Sequence, residues 1–171
     1  MLEAVSEAYL LVIFSLASLQ APCFEIWHRY VEGDLGMPTW VHRAAGLGEV
    51  CIVLLRTCGA LTVFNCGSPP ISSDGAARCA SLALCLACIL MGGALYTWPV
   101  IVGVPLGLVP GVLVLLASTW ATLSLASAFL SPQEAAQWLT AAIICLVVGT
   151  ASAGCLHVLG VAASPKKRHK D

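Results

Sequence analysis

The sequence predicts an all-α integral membrane bundle of about five transmembrane helices in a single domain, and three observations lead there. Of the 171 residues, 59 % are apolar and only 10 % charged. Soluble domains hold roughly half apolar and a quarter charged residues, so this chain has too little polar surface for water and lipid must cover much of it. The apolar residues gather in segments near the roughly 20 residues that cross a hydrocarbon core of about 30 Å. Backbone groups find no water partner there, which selects helices over isolated strands. The third observation is a lopsided distribution of Lys and Arg, taken up after the elements.

The first segment is expected from about residue 8 to 24, followed by Glu25 to Asp34, whose charges, Trp27 and Tyr30 suit the headgroup region. The second runs from about 44 to 66 and ends at the polar loop Gly67 to Gly75, which contains Pro69 and Pro70. The third covers about 79 to 98. After it, Pro99, Pro105 and Pro110 crowd twelve positions together with Gly103 and Gly107. Each proline removes a donor and clashes with the preceding turn, so residues 99–109 read as an apolar turn at the membrane surface, or a re-entrant loop, able to dock a partner subunit. The fourth segment runs from about 110 to 130. The fifth runs from about 132 to 163 and opens with Ser131 as N-cap, Pro132 at the first helical position and Glu134 closing a capping box. A basic tail, residues 164–171, completes the chain.

Five crossings place Arg29, Arg43, Lys166, Lys167, Arg168 and Lys170 on one side and Arg78 alone on the other. Four would blur this asymmetry. The positive-inside rule therefore predicts five, with the C-terminus on the cytoplasmic or matrix side. The acidic start lacks the basic region of a signal peptide and the Arg-rich character of a transit peptide, so the first segment is expected to be retained. The tail attracts anionic lipid, which leaves the endomembrane system and the mitochondrial inner membrane as locations.

Few residues are equipped for chemistry. Glu49 and Arg56 share one face of the second segment, about 10 Å apart along the axis. Ionisable groups in a membrane helix need a partner or water, so these two form the candidate polar site. Arg56 pinned to Glu49 or to an open carbonyl is the structural reading; a pocket for quinone, lipid or solute, or a subunit contact, is the functional one. His157 is a weaker candidate without a second ligand at helical spacing, and reads as a small polar residue between helices. His28 and His42 flank the first polar loop as interfacial residues.

Of nine cysteines, Cys51, Cys58, Cys85, Cys88, Cys145 and Cys155 fall inside apolar stretches and read as plain thiols, while Cys23, Cys66 and Cys79 lie near stretch ends. The Cys85-x-x-Cys88 spacing lacks the further ligands a metal needs. Gly92, Gly93, Gly149, Ser152 and Gly154, and the Gly107 to Gly111 spacing, mark close helix contacts. No catalytic motif, cofactor site or metal site is expected. With no basic stripe outside the tail, neither is a nucleic-acid partner. Membrane lipids and other membrane-protein subunits are the expected partners, and the chain is expected not to be an enzyme.

The stretch Leu35-Gly-Met-Pro-Thr-Trp40, followed by Gly46-Leu-Gly-Glu49 at a helix start, and Met91-Gly-Gly-Ala-Leu-Tyr-Thr-Trp98 at the next helix end, resemble the DoxX-like group of small membrane proteins over about residues 8–130. The resemblance implies a four-helix core with Glu49 facing inward and roles in quinol-oxidase accessory function, redox-stress complexes or receptor assembly. Two features depart from that group. The basic residue that often follows the first helix is missing from Ser18 to Cys23, and the helix from Pro132 has no counterpart. An accessory or assembly factor of a larger membrane complex, such as a respiratory complex, is the expected function.

Overall fold

The computed structural model describes residues 1–18, 39–65, 71–102 and 108–160. Five helices carry them: α1 Leu2–Ser18, α2 Thr39–Val63, α3 Ser73–Tyr96, α4 Leu108–Phe129 and α5 Pro132–Val158. Four of these, over Arg43–Val63, Ser73–Tyr96, Gly111–Phe129 and Pro132–Val158, are long and apolar enough to cross a membrane. The 17 residues of α1 span only about 26 Å at 1.5 Å per residue, just under a full crossing.

Helix α1 begins six residues before its expected start. The spacing of Glu7, Leu10 and Phe14 explains this, because it places all three on the face that the bundle buries. On α2 the buried face is Gly46, Glu49, Ile52, Arg56, Gly59 and Ala60, again at intervals of three and four. On α4 it is Val114, Ser118, Ala121, Thr122, Leu125 and Ala126. Helix α3 is buried along most of its length, mainly through alanines, and forms the centre. Helix α5 buries only Ala142, Gly149 and Ala153, and turns most of its surface outward. Exposed Ile143, Ile144, Val147 and Val148 cover that outer face, a pattern suited to lipid and not to water.

Neighbouring contacts set the helix directions. Arg78 meets Glu134 and Tyr96 meets His157, so α3 and α5 run parallel. Thr122 Oγ1 donates to the Ala80 carbonyl, and Gly111 lies by Met91, so α4 runs antiparallel to α3. Gly48 lies by Leu90 and Gly59 by Ala80, so α2 does the same. Glu7 meets Arg56 while Leu10 and Phe14, further along α1, join the cluster around Ile52, Ala83 and Ala87. Successive helices thus alternate in direction, and the starts of α1, α3 and α5 share one end.

Small residues make the α3–α5 contact possible. A Cβ on Gly92 would overlap the Leu146 carbonyl, and one on Gly149 would overlap the Ile89 carbonyl. The backbones touch at this crossing, and Thr150 Oγ1 donates across it to the Gly92 carbonyl at 3.2 Å.

The expected turn after Trp98 is corrected in part. The chain stays helical through Pro99, as a π-helical stretch at Thr97–Val102. Widening the turn moves hydrogen bonds away from the i−4 position that the proline ring blocks. Pro110 lies in the first turn of α4, where missing donors are tolerated. Pro105, the loop residues 25–34 and 66–70, His28, Cys23, Cys66, Gly107 and the basic tail lie outside the described residues. The other ends differ from expectation by up to six residues. Helix α2 starts at Thr39, α3 starts at Ser73 behind Ser72, and α5 ends at Val158 ahead of Gly160, whose φ of 69° suits a glycine stop.

At the start of α5, Ser131 Oγ accepts from the Glu134 backbone N–H at 3.2 Å with Pro132 next in sequence, as the capping motif predicts. The Glu134 carboxylate, expected to reach back to the cap, instead accepts from Arg78 Nε at 2.9 Å and ties α5 to α3.

Candidate functional site

A buried guanidinium, about two turns from one end of the bundle, organises a polar cluster in the interior. Arg56 is 1 % exposed and Glu7 is fully buried, so neither reaches solvent or the lipid face. Arg56 Nη1 donates to Glu7 Oε1 at 3.1 Å. Arg56 Nη2 donates to the Ser118 carbonyl at 3.1 Å and to Thr122 Oγ1 at 2.8 Å. The Thr122 hydroxyl in turn donates a hydrogen bond to the Ala80 carbonyl at 3.3 Å. One side chain thereby joins α1, α2, α4 and, through Thr122, α3.

The fork geometry of arginine suits this task, since its fixed N–H donors address three acceptors at once. The arrangement has a cost. Glu7 Oε2, Arg56 Nε and Ser118 Oγ are buried without a hydrogen-bond partner. A buried polar group left this way costs about 1–3 kcal/mol. Removing either charge costs more, about 3–5 kcal/mol, because the survivor stays buried and uncompensated.

The expected pairing of Arg56 with Glu49 is corrected. Arg56 forms its ion pair with Glu7 on another helix, while the expected contact to an open carbonyl is present at Ser118. Glu49 is buried at 6 % exposure, two helical turns from Arg56 on the same face of α2 and nearer the middle of that helix. Glu7 escaped sequence reasoning because it sits just before the apolar run and reads as an interfacial acid. Its signal was the three-residue step from Glu7 to Leu10, continued by Phe14.

His157 lies near the far end of α5 with Nδ1 3.1 Å from Tyr96 Oη. The rings stand edge to face, with centroids 6.0 Å apart at 64°. This is a polar clasp between α3 and α5, as expected of a small polar residue between helices. Cys85, Cys88 and Cys145 join Leu84 and Ala142 in an apolar cluster at the same interface. The seven cysteines among the described residues are free thiols. No group of three His, Cys, Asp or Glu among the described residues is arranged to hold a metal ion.

Comparison with family models, with curated proteins and with solved structures returned no match to this chain in any of the three. The described helices by themselves define a class, a helical bundle with four helices long and apolar enough to cross a membrane.

Proposed function

We propose that this chain is a non-catalytic multi-pass membrane protein that serves as an accessory or assembly subunit of a larger membrane complex. The observation that carries this reading is the use of the buried charges: Arg56 spends its donors on Glu7, Ser118 and Thr122, which fix helices to one another. A polar group held in this way specifies packing, while the outward faces of α4 and α5 remain apolar and available to lipid and to partner helices. The α5 helix, which rests chiefly on α3, is the element through which a DoxX-like four-helix core would acquire a specialised partner.

Five crossings belong to the same reading. The alternating helix directions support it, because they bring Arg43 and the end of α5, which leads to Lys166, Lys167, Arg168 and Lys170, to one end and Arg78 to the other. With α1 tied to Arg56 at bilayer depth, the positive-inside rule puts the tail on the cytoplasmic or matrix face of an endomembrane or mitochondrial inner membrane. Chemical crosslinking in native membranes, followed by purification and mass spectrometry, tests the function. A reproducible membrane-protein partner is expected; a protein that is monomeric in mild detergent and recovers no crosslinked partner would refute it.

A further inference from the structure

We propose that Cys58 on α2 and Cys79 on α3 are a redox-reactive thiol pair that closes to a disulfide between the two helices, with a small-molecule or protein disulfide as the oxidant. Helix packing brings them together. Gly48 lies by Leu90, Gly59 lies by Ala80, and Val63 packs against the cluster of Ala77, Ala80 and Leu125, so one antiparallel register runs along the α2–α3 seam. One residue back from the Gly59–Ala80 contact on each helix stand Cys58 and Cys79. A step of one residue turns about 100° around a helix, and in antiparallel helices the same step carries both residues to the same flank of the seam. The two thiols meet there, side chain to side chain.

Access separates this pair from the other interhelical thiols. Cys58 and Cys79 are half-buried, whereas Cys85 and Cys88 are buried in the apolar cluster between α3 and α5. Thiol exchange needs an approach path as well as a thiolate. Cys58 lies five residues before the end of α2 and Cys79 six after the start of α3, about 7–9 Å from the helix ends. The thiolate of one cysteine attacks the donor disulfide, R–S–S–R, and releases one R–S⁻; the thiolate of the other attacks the first cysteine's sulfur in the mixed disulfide and releases the second. One S–S bond replaces two S–H bonds in the protein, the two protons pass to the released thiolates, and the donor leaves as two thiols. The bond adds a covalent hold beside the buried ion pair, since a Cβ on Gly59 would stand 3.5 Å from Glu7 Oε1 and the Ala80 carbonyl accepts from Thr122. The pair sits toward the end of the bundle where α1, α3 and α5 start. In the orientation proposed above that end faces away from the cytoplasm or matrix, on the side where disulfides persist, and only this choice of side rests on that reading.

The full wild-type chain in lipid nanodiscs, reduced and freed of reductant, is treated with oxidised glutathione, then unfolded, alkylated and mapped by mass spectrometry without reduction. A linked species joining the Cys58 and Cys79 peptides is expected, two hydrogens lighter than the free peptides together, with Cys85, Cys88 and Cys145 recovered as alkylated thiols. Nanodiscs expose both membrane faces to the oxidant, so this result is independent of orientation, which protease protection of terminal tags decides separately. Oxidation of the chain after unfolding should instead scatter the linkages among the cysteines. Recovery of Cys58 and Cys79 as free thiols or glutathione adducts from the folded chain would overturn the proposal, as would a link from either to a different cysteine. The same single pair from the unfolded chain would also overturn it, because closeness in sequence and not the helix seam would then select the bond.

Discussion

Glu7 and Arg56, 49 positions apart and on different helices, meet in the bundle interior through an Nη1 to Oε1 hydrogen bond of 3.1 Å, both out of reach of solvent. The pair connects a short first helix to the long helices around it, and several consequences can be measured.

Arg56→Lys should destabilise the protein even though it keeps the charge. A lysine ammonium cannot reach Glu7, the Ser118 carbonyl and Thr122 with the same fixed fork. A loss of about 1.5–3 kcal/mol is expected, one hydrogen bond to a charged group being worth this much. Thermal unfolding in detergent measures it, and an unchanged midpoint would count against the bridging role.

Gly149→Val should open the α3–α5 contact, because its side chain would run into the backbone of Ile89. An overpacking cost of about 1–3 kcal/mol is expected. Loss of crosslinking between engineered cysteines on α3 and α5 would show the separation directly. Gly93→Ala, whose added carbon meets nothing nearer than 4.0 Å, is the tolerated control.

Ser131→Ala should cost about 1 kcal/mol by orphaning the Glu134 backbone donor. Arg78→Gln, which breaks an exposed pair with Glu134 at the same helix start, should have a smaller effect that fades as salt is raised. Unfolding midpoints at low and high ionic strength separate the two contributions.

Tags placed before Met1 and after Asp171 should lie on opposite sides of the membrane, with the C-terminal tag on the cytoplasmic or matrix face. Protease protection in sealed vesicles reads both. Tags on the same side would remove one crossing, and α1 would be the first to question.

The legibility of this chain in its sequence follows the physics of each signal. Segment length and apolarity gave α2 to α5 with ends off by up to six residues, since a bilayer imposes one long period on every span. Ser131-Pro132 was readable because capping is a local contact. Helix α1 was shifted because its decisive residue, Glu7, looks polar until its partner is known, and a contact between residues 7 and 56 leaves no local trace. Pro99 misled for the opposite reason. A proline forbids a regular α-turn but permits a wider π-turn, and residue type alone does not separate that from a break. In the site, Arg56 and Glu49 were legible as ionisable groups on one face of an apolar helix, and both are buried, but hydrophobic spacing gives the face a residue occupies and not which helix will answer it.

A double-mutant cycle on Glu7→Gln and Arg56→Gln, read by equilibrium unfolding in lipid or mild detergent, tests the central claim most directly. Each single change should cost about 3–5 kcal/mol by stranding the opposite charge, and the double variant should recover much of that loss. A double variant whose loss equals the sum of the two singles would mean that Glu7 and Arg56 act independently, and would contradict the account.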